Sequence, residues 1–146
     1  MTELFSLFKE KFHTSPSPRM VKSPLRVCPL GAHVDHQHGL VTGMALDAAV
    51  NLVYSRGDNG YVRVQSLDFP DEEYFAINSV PGMVPGFWGN YLRGAILALK
   101  QNHVVKHGIN GIISGKLPIG GLSSSAAVTT AYLMALCDVN DIEVSK

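Results

Sequence analysis

Two segments of this chain concentrate residues that could do chemistry. The first is Arg26-Val-Cys-Pro-Leu-Gly-Ala-His-Val-Asp-His-Gln-His-Gly-Leu-Val41, which gathers an arginine, three histidines and an aspartate around two glycines. Aspartate and histidine side chains donate to and accept from neighbouring hydroxyls, so the cluster suits a polyol. The second is Pro118-Ile-Gly-Gly-Leu-Ser-Ser-Ser-Ala-Ala127, where glycines and serines lead straight into the apolar run Val128 to Leu136. Such a loop exposes backbone N–H groups, and the helix start behind it adds positive dipole character. Together they favour phosphate. No Gly-Lys-Ser/Thr follows the glycines, so this is not a Walker A loop, and backbone amides and hydroxyls would do the holding. A glycine pair before a serine-rich helix start is also ordinary capping chemistry.

The elements that must position these segments are legible in outline. Met1 to His13 reads as an amphipathic helix, with Leu4, Phe5, Leu7, Phe8 and Phe12 interleaved with charge. It lacks the pattern of a secretory leader, and no run approaches a membrane span. Thr14 to Pro24 is a break. Leu25 to Leu30 is a strand candidate, Gly31 to Gly39 a loop, and the second half of Leu40 to Arg56 a strand. Tyr61 to Leu67 alternates as a half-buried strand does, and the Asp58-Asn59-Gly60 turn predicts a hairpin between it and the strand before. Glu73 to Ile77 is a shorter strand and Val80 to Gly86 a loop. Trp88 to Asn102 reads as a helix, Ile109 to Leu117 as a strand, and Ser124 to about Cys137 as a helix.

The 146 residues suffice for one domain with a core; 46% are hydrophobic and 16% charged, a globular composition. Twelve basic residues balance twelve acidic ones, so no broad basic field suggests nucleic acid. The two cysteines, Cys28 and Cys137, read as small buried hydrophobes and make no disulfide framework, which fits a cytoplasmic setting. Ser145 resembles a helix N-cap with nothing behind it, and predicts that the chain stops at the threshold of another element.

The first segment resembles the galactokinase signature of the GHMP kinase superfamily, Gly-Arg-Val-Asn-Leu-Ile-Gly-Glu-His-Thr-Asp-Tyr followed by glycine. The chain keeps Arg26, Val27, Leu30, Gly31, His33, Asp35 and Gly39 of that pattern. Pro118 to Ala126 is similar to the family's phosphate loop. Trp88-Gly-Asn-Tyr-Leu-Arg-Gly94 is similar to its Trp-x-x-Tyr-x-x-Gly helix start. The three motifs come in the family's order, over residues 20 to 140.

The resemblance implies an α+β fold of the GHMP-kinase N-terminal lobe type, a mostly antiparallel sheet with helices packed on one face. Residues 1–146 would form the domain that binds ATP and sugar, the C-terminal domain being absent from this chain. It implies a sugar-1-kinase using ATP and Mg2+. Ile119, Gly120, Gly121, Leu122, Ser123, Ser124 and Ser125 would wrap the phosphates, with Ser125 also a magnesium ligand and Trp88 beside the nucleotide. Arg26 would meet charge on the transferring phosphoryl group, as a permanently charged fork can. His33 and Asp35 would hydrogen-bond sugar hydroxyls, with Ala32 and Val34 beside them.

Two departures matter. The family's glutamate before the histidine is Ala32 here. A sugar with a carboxylate at carbon six would be repelled by glutamate and tolerated by alanine. The string around Ala32 looks closer to galacturonokinases than to galactokinases, so galacturonate joins galactose as the expected substrate. The family's catalytic aspartate and magnesium-binding acid lie well beyond the phosphate-loop helix, and Asp138, Asp141 and Glu143 sit too close to that helix's end to replace them. The chain alone is therefore expected to be an incomplete kinase, whose missing partner is the C-terminal part of the same enzyme. A non-catalytic nucleotide-binding fragment or pseudoenzyme is the alternative. The spacing of His33, Asp35, His36 and His38 also admits a metal-dependent hydrolase. Nucleophilic use of Ser123, Ser124 or Ser125 lacks the Gly-x-Ser-x-Gly elbow.

Overall fold

In the computed structural model the elements run α1 (Thr2–Phe12), β1 (Arg19–Val27), β2 (Met44–Arg56), β3 (Tyr61–Ser66), β4 (Glu72–Ala76), α2 (Asn90–Lys100), β5 (Ile109–Ser114) and α3 (Ser124–Val139). The structure describes residues 2–13, 17–31, 34–115 and 122–144.

One five-stranded sheet has the order β1-β2-β5-β3-β4. Its ladders are antiparallel except for the parallel pair β3–β5. The central strand β5 is buried along its whole length, which is why it reads as a short apolar run rather than an alternating one. β1 begins at Arg19, within the segment expected to be a break, and runs through Pro24. It is an edge strand whose register shifts between Pro24 and Arg26, a place where a missing N–H is tolerated.

The expected hairpin between β2 and β3 does not form, because β5 lies between them. Arg56 faces Ile109 on one side of β5, and Arg63 faces Asn110 on the other. Two glycines make the insertion possible. The Gly57 N–H donates to the Gly108 carbonyl at 2.8 Å. A Cβ on Gly57 would stand 2.2 Å from the Tyr61 carbonyl oxygen, and one on Gly108 would stand 2.1 Å from the same atom. The Asp58–Gly60 turn, with left-handed Asn59 and Gly60, therefore steers the chain around the start of β5. The hairpin that does form joins β3 to β4, with Tyr61 opposite Ala76.

The α+β expectation holds, and α2 and α3 share one face of the sheet. There Leu25, Leu52, Tyr54, Val64 and Ile113 pack with Leu92, Ile96, Ala131 and Leu136. α1 is the exception to the one-face expectation. Its Phe8 and Phe12 cover Val53 and Ile112, the alternate residues that point to the other side. Lys11 fastens it there by bonding Gln65 at 2.6 Å and Glu72 of β4. At the far end of α3, the Asn140 side chain accepts from the Lys106 and His107 N–H groups and donates to the His107 and Leu136 carbonyls. That ties the helix to the segment entering β5.

Candidate active site

Arg26 is the last residue but one of β1 and lies beside the start of α3. Its N–H donates to the Leu122 carbonyl at 3.2 Å, and its Nη2 donates to the Ser123 hydroxyl at 3.1 Å. Gly43 gives the arginine stem room to lie across β2, since a Cβ there would press on Arg26 Cδ at 3.3 Å. Ser123 holds φ 53° and ψ 36°, and its hydroxyl does not cap the helix. Ala127 N–H to Ser123 O is the first bond of the helix, so the N–H groups of Ser124, Ser125 and Ala126 precede the ladder. A guanidinium and an uncapped helix start thus converge on one spot, an arrangement that attracts an anion.

The connection from β1 to β2 is tied at its neck. Thr42 N–H donates to Leu30 O at 3.0 Å, and Leu30 N–H donates to the Thr42 hydroxyl at 3.1 Å. Gly31, at φ +80°, passes so close to Leu40 that a Cβ would stand 2.4 Å from its carbonyl oxygen. Val34 O accepts from Gln37 and Gly39, and the Val34 side chain leaves no room for a Cβ on Gly39. Val34 therefore organises the loop from within. Ala32, His33 and the side chain of Asp35 lie outside the described residues, as do Ile119, Gly120, Gly121 and Ser145. Among the described residues no three His, Cys, Asp or Glu side chains gather as a metal cluster.

A cavity of about 820 Å³ opens beside this spot. Ser124, Ser125 and Val128 of α3 form one side; Asp68, Phe69, Phe87, Trp88 and Tyr91 are among the others. Ser125 is exposed and Ser124 half-buried at its mouth. Trp88 packs partly against the main core while its Nε1 donates to Pro70 O at 3.0 Å, so its ring is available and its polar edge is committed. Asp68 accepts the Gly115 N–H at 2.5 Å. Tyr132 also lines the cavity, and its hydroxyl has no hydrogen-bond partner among the described residues. Burial, and next the Glu73 carboxylate, hold that phenol well above its ordinary ionisation range.

A more polar cleft of about 580 Å³ lies by Gly57, Lys106 and His107, at the opposite end of α3. A helix of 16 residues separates the two by about 24 Å. Asp138 also belongs to that far end. It pairs with Arg19 at 2.7 Å and accepts from the Tyr54 hydroxyl at 2.6 Å. Asp141 pairs with Arg56 at 3.6 Å. Both acids are committed away from Ser124, as the sequence suggested. Cys137 is buried, which pushes its thiol's pKa up and disfavours the thiolate, whereas Cys28 is only half-buried, contrary to expectation; both are free thiols.

Sequence reasoning missed Asp68, Phe69 and the buried pair Glu73–Arg93, and gave Tyr91 only as part of the Trp-x-x-Tyr-x-x-Gly motif. The available signal for Glu73 was its phase, because in β4 it shares a face with Phe75.

The galactokinase galactose-binding signature matches residues 6–56, and the GHMP kinases N terminal domain matches residues 90–146. A galacturonokinase of Arabidopsis thaliana is 37% identical, over 87% of this chain and 34% of its own length. A galactokinase of Chloroflexus aurantiacus is 34% identical, over 99% of this chain and 38% of its own length. The solved structure of Lactococcus lactis galactokinase complexed with galactose superposes with a TM-score of 0.91 at 26% identity, over 99% of this chain and 38% of that one. Mevalonate kinase of Methanococcus jannaschii shares the fold, with a TM-score of 0.73 at 22% identity. The chain spans little more than a third of the length of these galacturonokinase and galactokinase relatives. It belongs to the galactokinase branch of the GHMP kinase superfamily.

Proposed function

We propose that the intact protein is an ATP-dependent sugar-1-kinase acting on galactose or, in preference, galacturonate. The observation that carries this reading is the contact between Arg26 and Ser123, which puts the sugar-loop strand against the phosphate-loop helix. The adenine would enter the cavity between Trp88 and α3, with the phosphates running to the N–H groups of Ser124 and Ser125. Ala32, His33, Val34 and Asp35 would surround the sugar, and Ile119 to Ser125 the phosphates. The anomeric hydroxyl oxygen attacks the γ-phosphorus, the bond to the bridging oxygen breaks, and ADP leaves. Arg26 meets the charge on the equatorial oxygens, and the converging helix start holds the chain of phosphates in line.

Hydroxyl and carboxylate oxygens at the cavity mouth are the donors a hard divalent cation takes, so Ser125 would hold Mg2+, which shields the phosphate charge when bound. The base that accepts the hydroxyl proton would come from outside this chain, since Asp138 and Asp141 are engaged at the far end of α3. Residues 1–146 alone would then bind nucleotide without useful turnover. The balance of free thiols and an ATP substrate supports a cytoplasmic setting, and no helix among the described residues is long and apolar enough to cross a membrane.

The test is the mass of the native protein, followed by kinetics of the intact enzyme with galactose and galacturonate. Galacturonate is expected to give the higher kcat/KM. A clear preference for galactose would remove the sugar-acid part alone, and phosphorylation of neither sugar would remove the kinase reading.

A further inference from the structure

Arg93 sits on the buried side of α2 with Leu92 and Ile96. Its guanidinium grips Glu73 of β4 through two parallel bonds, Nε to Oε2 at 3.0 Å and Nη2 to Oε1 at 2.9 Å. The two side chains are only 10% and 4% exposed. Taking both charges out of water is expensive, and an apolar pair of similar volume often serves a core as well or better. Packing alone therefore gives no reason for the pair.

Its third connection supplies one. Arg93 Nη1 donates to the Gly82 carbonyl at 2.5 Å, and the guanidinium lies 5.1 Å from the Phe87 ring centre. The segment between them is irregular, with Met83 81% exposed. Asn90 closes it from the other side, accepting from Val84 N–H and donating to Val84 O. Gly89 is pressed against the same carboxylate, since a Cβ would stand 1.9 Å from Glu73 Oε2. One buried ion pair thus fixes the segment that presents Phe87 and Trp88 to the cavity.

We propose that Glu73 and Arg93 are positioning residues for the nucleotide: they hold the Phe87–Trp88 wall at the spacing a flat purine base requires, and leave the sugar loop beyond Arg26 unaffected. This rests on reading the cavity as the nucleotide pocket. A stacking wall must be held by locked neighbours to bind well. A planar guanidinium can engage a carboxylate, a carbonyl and a ring together, and a lysine ammonium cannot.

The experiment titrates ATP into the 146-residue chain and follows the fluorescence of its only tryptophan, Trp88. Calorimetry on the same preparations measures galactose and galacturonate binding. The wild-type chain should give a saturable response. Arg93→Lys should weaken ATP about tenfold and leave the sugar affinities unchanged. The double variant Glu73→Gln/Arg93→Gln removes both charges together and should behave likewise. A folded variant that binds ATP as the wild type does would overturn the proposal. So would the unfolding of both variants, which would make the pair a fixture of the core. A wild-type chain with no saturable ATP response would instead sink the nucleotide reading, and the proposal with it.

Discussion

The guanidinium of Arg26 lies 3.1 Å from the hydroxyl of Ser123, 97 residues further along the chain. Ser123 is left-handed, so it turns its hydroxyl to the arginine instead of to the helix it begins. Arg26 is exposed and contributes little to the core. In the intact kinase, Arg26→Ala should lower kcat by about 10²–10³-fold. Stability should move by no more than about 0.5 kcal/mol. Steady-state kinetics and thermal melting on the same preparation check both, and Arg26→Lys should restore only part of the rate.

Ala32 is expected to admit a carboxylate at carbon six of the sugar. Ala32→Glu in the intact enzyme should reverse the preference, lowering kcat/KM for galacturonate by about tenfold or more while galactose improves. Competition between the two sugars in one reaction measures the ratio directly.

Gly57 and Gly108 both crowd the Tyr61 carbonyl, at 2.2 and 2.1 Å from an added Cβ. Backbone atoms on both sides cannot rotate away as a side chain would. Gly57→Ala and Gly108→Ala should each cost about 3 kcal/mol or leave no folded protein. Urea midpoints decide, and a loss below about 1 kcal/mol would show that the strand crossing relaxes.

Tyr132 carries a fully buried hydroxyl without a partner among the described residues. Removing such a group relieves its desolvation, so Tyr132→Phe should leave stability unchanged or raise it by about 1 kcal/mol. Melting of the two forms side by side is the measurement.

Glu72 receives both Lys11 and Arg63. Burial pushes the carboxyl's pKa upward, but those two hydrogen bonds and charges outweigh it, and the net pKa is lowered. Its stabilising contribution is present above the unfolded value of about 4.3 and is lost as pH falls through the lower folded value. The stability gap between wild type and Glu72→Gln should be widest above about pH 5 and close in acid. For a pair this near solvent the gap is at most about 1 kcal/mol.

Most of the strands and helices were legible because periodicity and turn residues are local properties, although β1 begins within the segment read as a break; the two chemical segments stood out by residue type alone. The contact between Arg26 and Ser123 was not predicted: the resemblance implied only that one would meet the transferring phosphoryl group and the other would wrap the phosphates, and the fold brings them together. The strand order was not legible. Asp58-Asn59-Gly60 is a genuine turn, but whether β3 meets β2 depends on Gly108, which lies in a different part of the chain. The face chosen by α1 was equally hidden, since an amphipathic stripe says that a helix has a partner and not which one. Glu73 and Arg93 escaped notice because an isolated charge in a strand or helix reads as solvated. Their inward phase, beside Phe75 and Ile96, was the clue.

The central place of β5 has a bearing on how the chain is made. Ribosomal synthesis releases β2 and β3 long before residues 109–114 exist to bridge them. Until then each has an open edge that can pair with another nascent chain. Late arrival of the keystone strand delays the non-local pairings on which the sheet depends, and pairings of that kind close slowly and leave open edges exposed to aggregation in the interim.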